Sequence, residues 1–490
     1  QEWDGGGMDG LDVEDLNESQ RMAIRMALSR RLTLIQGPPG TGKTNVGVRC
    51  IGHWVRRFKS LGSGAKCFAG SDSNIAVDNI LIGLLSIGIS AIRVGRPEST
   101  LPSLLPYCAD EMGKEAYRMA RDKGMNDRDA KKAQYVRREK AVKEADVVCG
   151  TCIGGSAGFL SKFPFQCVLI DEASQAHELS TLVPIMHGCQ QIVLVGDQCQ
   201  LPPSISCEVA KEEGLGMSLF ERLQRAGVST VMLDTQYRMH PVISEFPSDR
   251  FYGGILKDGI RGEERRPPRG VDWPQPDIGL MFINVGQGEG EETDGVSRYN
   301  IEEAKVVLDV VKGLLMAGEV GIDDVGIITP YRAQVRVLRG YFREIVEQGR
   351  RRWEELWYYK ERASRDLNDL LSHPSPPRGS PHYHQHATYM SQLRAILTAP
   401  LPPTPPALEI SSVDGFQGKE KEFVIFSAVR SNSGGRVGFL KDWRRTNVAL
   451  TRGRRGVVVV GDRDTLSRES VSWGVWIDFV EDRGMVYGGG

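Results

Sequence analysis

The sequence predicts an α/β protein of two tandem units, each a parallel sheet covered by helices. Three observations predict it. The chain has 490 residues, too many for one ordinary core and suited to two domains of roughly 200 residues each plus insertions. Apolar runs of strand length recur along it with helix-patterned segments between them, the alternation that gives a parallel sheet buried on both faces. The third is GPPGTGKT at 37–44, directly after the apolar run LTLIQ, a glycine-rich loop placed between a strand and a helix.

Taken in order, residues 1–15 are glycine-rich and read as a flexible lead-in, without an initiator Met, a cationic leader or an apolar h-region, so the chain reads as a piece of something longer. Asn17 or Ser19 can cap a helix running to about Arg30. The first unit, 16–228, carries strands at 32–36, 65–69, 165–170 and 191–195, with a helical insertion at about 97–145. Within it, from Lys114 to Lys143, Lys and Arg outnumber Asp and Glu by 11 to 5, which suits either a solvated helix face or a nucleic-acid contact. The second unit, 229–490, carries strands at 230–233, 281–285, 325–329, 422–428 and 456–460. Its insertion at about 342–408 stands apart. WEELWYYKERASRDLNDLL has a helical composition, but nine of the chain's 25 prolines fall between Pro374 and Pro406, so a disordered or loosely packed loop is expected there. His382, His384 and His386 alternate within it as metal ligands can, yet with no fixed partner in sight they read as part of that loop.

Composition narrows the function classes. Lys and Arg number 62 against 63 Asp and Glu, a formal net charge of -1, so any affinity for nucleic acid must come from a local stripe. Apolar runs such as 457–460 are far shorter than the roughly 18 residues a membrane-spanning helix needs, and no membrane partner is expected. All nine cysteines lie between Cys50 and Cys207, unlike a disulfide framework, which points to a reducing intracellular setting. Cys149 and Cys152 form a C-x-x-C without a second pair at zinc-site spacing, so they read as buried thiols.

The chemistry starts at the loop. Gly37, Pro38, Pro39, Gly40, Thr41 and Gly42 can turn backbone N–H groups onto phosphates, Lys43 can reach the β and γ phosphates, and Thr44 can hold Mg²⁺ at a helix N-terminus that favours anions. The motif says that the chain binds a nucleoside triphosphate. The apolar run at 165–170 ends in Asp171 and Glu172; with a phosphate loop granted, Asp171 suits Mg²⁺ and Glu172 the polarisation of an attacking water, where otherwise both would sit in a solvated turn. GDQCQLPP follows the strand at 191–195 and offers Asp197 and Gln200. QYRMHP and NVALTRGRRG supply Arg238 and Arg452, suited to charge on a transferred phosphoryl group, although any single Arg has a surface ion pair as its plain reading. Candidate phosphate ligands thus come from both halves of the sequence.

The order and wording of eleven blocks resemble superfamily 1 helicases, specifically the up-frameshift RNA helicase family of nonsense-mediated mRNA decay. The blocks are LNESQ, GPPGTGKT, SNIAVD, ADVVCGTC, DEASQA, VGDQCQLPP, QYRMHP, WPQPD, GIITPY, SSVDGFQGKEKEF and RRTNVALTRGRRG. The resemblance implies a P-loop NTPase of two RecA-like domains using ATP and Mg²⁺. It implies that Gln20 reads the adenine edge, Tyr237 stacks on the base and Glu420 touches the nucleotide, while Gln200, Arg238 and Arg452 approach the γ-phosphate. Ser73, Asn74, Thr151, Thr329 and Ser412 fall in blocks that line the family's single-strand channel, where backbone contact binds tightly with little sequence preference. The family's zinc-binding amino-terminal domain and the small β-barrel before LNESQ have no counterpart here. DEASQA also leans toward the senataxin-like and immunoglobulin-switch-binding helicases.

The expectation is an ATP-dependent 5′-to-3′ helicase or translocase on single-stranded RNA, in the cytoplasm or nucleus, meeting decay factors in its full-length context. DNA is open as a partner because stacking and backbone contacts do not select the sugar. The rivals are an ATP-switched RNA clamp that does not unwind, which an intact acidic pair disfavours, and a P-loop metabolic kinase, which leaves GIITPY and TRGR without a use.

Overall fold

The computed structural model describes residues 14–205, 207–292, 297–372, 381–398, 407–469 and 471–487. The chain divides into two compact units: Gln1–Arg265 with Gln417–Lys419 and Asp442–Arg452, and Arg266–Phe416 with Glu420–Lys441 and Gly453–Gly490. Among the described residues no helix is long and apolar enough to cross a membrane.

In the first unit, β1 (Leu32–Gln36), β2 (Lys66–Ser71), β3 (Ala91–Val94), β4 (Val147–Thr151), β5 (Phe165–Ile170), β6 (Gln191–Gly196) and β7 (Thr230–Met232) form one sheet in the order β3-β4-β2-β5-β6-β1-β7. Every neighbouring pair is parallel. Successive strand residues face opposite sides, so Ile35 and Leu169 enter one core with Trp54 and Leu81, while Leu34 and Ile170 enter the other with Phe68 and Phe220. Two-sided burial is why these strands read as unbroken apolar runs. The helices α1 (Glu18–Ser29), α2 (Lys43–Ser60), α3 (Asn74–Ser86), α4 (Ala109–Asp122) and α5 (Asp127–Glu144) follow. Asn17 caps α1 in a reciprocal box with Gln20, as its sequence signature suggests. The basic insertion is the hairpin of α4 and α5 between β3 and β4. A short parallel pair, β8 (Thr235–Gln236) and β9 (Lys257–Asp258), completes the unit.

The unit boundary corrects the sequence reading. The run at 230–233 was expected to open the second unit, but β7 pairs with β1 through Leu34↔Thr230 and Gln36↔Met232. Since β1 needs a partner on its far side, the first unit continues to Arg265.

The second unit has β10 (Leu280–Asn284), a hairpin pair β11 (Glu289–Glu291) and β12 (Arg298–Asn300), then β13 (Val325–Thr329), β14 (Glu409–Ser412), β15 (Lys421–Ser427), β16 (Gly453–Gly461) and β17 (Val486–Tyr487). Its main sheet is parallel in the order β14-β13-β15-β16-β10-β17. The loop expected over 342–408 is largely helical instead: Arg332–Ser372 is one helix of 41 residues, and Pro381–Thr398 packs along it, held by Tyr389 donating to Asp366 at 3.0 Å. Pro381 stands at the first helical position, where a missing N–H costs nothing, and the tract's other prolines lie outside the described residues. So do the side chains of His382, His384 and His386.

Candidate active site

The phosphate loop leaves the carboxyl end of β1. Gly37 N–H donates to the Gly196 carbonyl of the adjacent β6 at 2.9 Å, which fixes where the loop starts. Gly40 and Gly42 have φ of +77° and +79°, a conformation glycine alone adopts without cost. Gly42 is the N-cap of α2 and no side chain caps the helix, so its first N–H groups and the positive end of its dipole serve the loop. Lys43 lies back along the loop, its Nζ donating to the Gly37 carbonyl at 2.6 Å. Gln20 donates to the Thr41 carbonyl at 3.0 Å, and Tyr237 N–H donates to the Gly40 carbonyl at 2.9 Å. The Tyr237 ring is 39% exposed, with Asn17 donating to its hydroxyl at 2.9 Å.

Two strands away, β5 delivers Asp171 to the same edge of the sheet. Thr44 Oγ donates to Asp171 Oδ2 at 2.8 Å, so the hydroxyl and carboxylate that would hold a divalent cation are already adjacent. Burial, and then the neighbouring Glu172 charge, push the Asp171 carboxyl up to about 6, against the Thr44 hydrogen bond and Lys43. A magnesium ion would restore its ionised form, and the two oxygen donors fit that ion. Glu172 holds a φ of +52°, strained for a residue with a Cβ at about 1–3 kcal/mol, and Gln175 donates to its carboxylate at 2.8 Å.

Asp197, Gln200, Arg238 and Arg452 lie in the same unit. Gln200 donates to Asp197 at 2.7 Å and accepts from Arg452 Nη2 at 2.5 Å. Arg238 donates to the Thr451 carbonyl at 3.1 Å. Its own backbone N–H, at 2.8 Å, and that of Met239, at 2.7 Å, are both taken by Gln236 Oε1. Arg452 was read from the carboxyl-terminal half of the sequence; its segment Asp442–Arg452 nevertheless clusters with the first unit. Trp443 of that segment stacks on Phe251 with centroids 5.4 Å apart.

Glu420 belongs to the second unit, where Arg454 pairs with it. Of the residues expected to meet nucleic acid, Asn74 is exposed and Ser73, Thr151 and Ser412 are half-buried. Ser73 caps α3, Asn74 accepts from Arg93 at 2.7 Å, and the Thr151 and Ser412 hydroxyls accept from Gly154 and Gly415 at 3.1 and 3.2 Å. Thr329 is fully buried and offers no surface to a strand in this conformation. Cys149 and Cys152 are buried thiols, and among the described residues no group of three potential metal ligands occurs.

Sequence reasoning missed Gln236, which shapes the Arg238 turn. It also missed Tyr252 and Asn447. Tyr252 donates to Asp197 at 2.7 Å and accepts from Asn447 at 2.8 Å. Gln236 and Asn447 stand inside the blocks QYRMHP and NVALTRGRRG, but the partners of Tyr252 and Asn447 lie far away in sequence, so their role could not be read there.

Two family models, both described as AAA domain, match the chain: one at 215–464, the other at 15–139 and 109–208. Among curated proteins, the chain is 34% identical to the regulator of nonsense transcripts 1 homolog of Drosophila melanogaster over 487 residues, covering 96% of this chain and 36% of that protein. It is 35% identical to regulator of nonsense transcripts 1 of Caenorhabditis elegans, covering 97% and 40%. To the ATP-dependent helicase NAM7 of Saccharomyces cerevisiae it is 34% identical, covering 96% and 44%. The chain thus spans less than half the length of these relatives. With one model alone matching more than half of its residues, the chain belongs to the AAA domain family.

Proposed function

We propose that the chain hydrolyses ATP, with Mg²⁺, to drive movement along single-stranded nucleic acid, RNA in the first instance and in the 5′-to-3′ direction. One observation carries this reading: the loop from Gly37 to Thr44, the Thr44 and Asp171 pair and the Gln200 and Arg452 pair stand in one compact unit, the parts list of phosphoryl transfer to water. Magnesium, when bound, would neutralise charge on the phosphates of the nucleotide. Thr44 and Asp171 hold it; Lys43 leaves the Gly37 carbonyl for the phosphate oxygens. Glu172 takes the proton of the attacking water, Gln200 orients that water, and Arg452 and Arg238 meet the charge that develops on the γ-phosphoryl group. Gln20 and the exposed Tyr237 face receive the base. Ser73, Asn74 and Thr151 in the first unit contact the strand backbone, as does Ser412 in the second, where Thr329 is its neighbour in the sheet. In its full-length context the protein acts with decay factors in the cytoplasm or nucleus.

ATP turnover measured with matched RNA and DNA oligomers at one stated salt concentration tests the partner, and displacement of a tailed duplex tests the motor. Stimulation without displacement would favour a clamp, and no stimulation by any single strand would refute the reading. Arg452→Ala should lower turnover by about 10³ to 10⁵; a loss below about tenfold would remove Arg452 from the chemistry.

A further inference from the structure

Asp197 is fully buried at the end of β6 and accepts at one carboxylate oxygen from two donors, Gln200 Nε2 and the Tyr252 hydroxyl, each at 2.7 Å. A guanidinium only donates, so Gln200 must turn its Oε1 toward Arg452 and its NH₂ toward Asp197. The Tyr252 hydroxyl has a single proton, spent on Asp197, and can only accept from its other neighbour, Asn447 Nδ2 at 2.8 Å. Asn447 Nδ2 also donates to the Cys199 carbonyl at 2.7 Å. Asn447 and Arg452 lie on one short segment, where Arg452 Nε donates to the Val448 carbonyl at 3.1 Å. The bonds therefore close a ring: Asp197, Gln200, Arg452, the helix Trp443–Leu450, Asn447 and Tyr252. Each member side chain is at most 5% exposed, so water cannot replace a lost bond. Asn447 Oδ1 is buried with no hydrogen-bond partner, leaving that amide oriented by its donors alone.

We propose that Tyr252 and Asn447 are positioning residues for ATP hydrolysis: the Asn447–Tyr252–Asp197 chain sets the Gln200 amide and, through it, the Arg452 guanidinium, so that both reach the γ-phosphate in one fixed arrangement. The assignment rests on the motor reading above. Among the described residues, the side-chain hydrogen bonds of Tyr252 and Asn447 go to Asp197, to the Cys199 carbonyl and to each other, not to the phosphate loop, so loss of either should act on turnover and not on nucleotide binding.

Tyr252→Phe keeps the ring packing and deletes the joint. Turnover under saturating RNA oligomer should fall about tenfold, equivalent to about 1.4 kcal/mol in the barrier, with KM for ATP unchanged within about twofold. Arg452→Lys lowers turnover by itself, and the double variant should be no slower than Arg452→Lys, because both changes break one ring. Asn447→Ser enters the ring from the other side and should repeat the fall and the non-additivity even where Tyr252→Phe is too unstable to assay. An unchanged kcat in Tyr252→Phe, effects that multiply in the double variant, or loss of the folded state in both single variants would overturn the positioning role. A wild-type chain that hydrolyses no ATP sinks the motor reading along with it; an active wild type beside an equally active Tyr252→Phe sinks the ring alone.

Discussion

Replacing Gly40 by Ala should separate nucleotide binding from folding. The residue holds φ at +77°, and a Cβ there would stand 2.6 Å from Arg238 Cβ and 3.2 Å from Arg238 N. The neighbour cannot give way cheaply, because Gln236 Oε1 holds the N–H groups of Arg238 and Met239 at 2.8 and 2.7 Å while Gln236 Nε2 is anchored on Asp258 at 2.7 Å. A left-handed Ala costs about 1–2 kcal/mol, and forcing a methyl into a packed site adds about 1–3 kcal/mol. Holding the loop in its binding form should therefore cost about 2–5 kcal/mol, which weakens ATP binding by about 30-fold to several thousand-fold. Gly62→Ala is the control, since Gly62 has φ +62° but nothing within 4 Å; it bears the backbone term alone, far from the loop, and should bind ATP as the wild type does. Calorimetric titration of a non-hydrolysable ATP analogue, with thermal melts of each variant, reads both quantities. A Gly40→Ala dissociation constant within about threefold of wild type would refute the assignment of this loop.

Two pH-linked predictions follow from buried acids. Asp171, its carboxyl pushed up to about 6 from 3.8, contributes stability that is fully present below 3.8 and lost as pH rises through 6; Asp171→Asn should thus stabilise the chain by up to about 3 kcal/mol at pH 8, with the gain gone near pH 4, while ATP turnover is abolished. A lower melting temperature at pH 8 than wild type would contradict it. Glu303, buried where Ser427 and the Val429 N–H donate to it at 2.6 and 2.9 Å, is pushed up to about 8 from 4.5 by burial. Between those values folding takes up a proton, so stability falls by about 1.4 kcal/mol per pH unit as pH rises. Glu303→Gln should flatten that slope in hydrogen exchange of the β16 amides, and parallel slopes in both proteins would rule the linkage out.

What the sequence shows depends on how local the determinant is. β1 and β5 were legible because each is an apolar run that ends directly in its chemistry, GPPGTGKT and Asp171–Glu172. β3 was not, since its four residues include Arg93, fully buried and neutralised by Asp78 at 3.1 Å, a charge that breaks any hydrophobic pattern. β7 has an ordinary strand composition, but its membership in the first sheet is set by β1, some two hundred residues earlier, and no local signal carries that. The helix Arg332–Ser372 was obscured by prolines that fall beyond its end. The loop and the acidic pair were readable as types of residue at a spacing; the ring through Tyr252 and Asn447 was not, because hydrogen-bond closure is a property of three-dimensional neighbours.

That ring also bears on how turnover could do work. Arg452 completes the polar ring of the first unit, yet the next residue, Gly453, opens β16 of the second unit's sheet, where Val457 to Val460 pair with β15. One peptide bond therefore joins a hydrogen-bonded guanidinium to a buried strand. Backbone at that link cannot stretch, and the ring cannot relax gradually, since a buried hydrogen bond is either kept or replaced by an unpaired group at a cost of about 1–3 kcal/mol. Under the proposed function, exchange of Gln200 for a γ-phosphate as the partner of Arg452 is then a discrete event, one residue before β16 begins. Any stiffness starts beyond that link: Val457 to Val460 are β-branched and fully buried, but Gly453 to Gly456 separate them from Arg452, and the register with β15 shifts along that stretch.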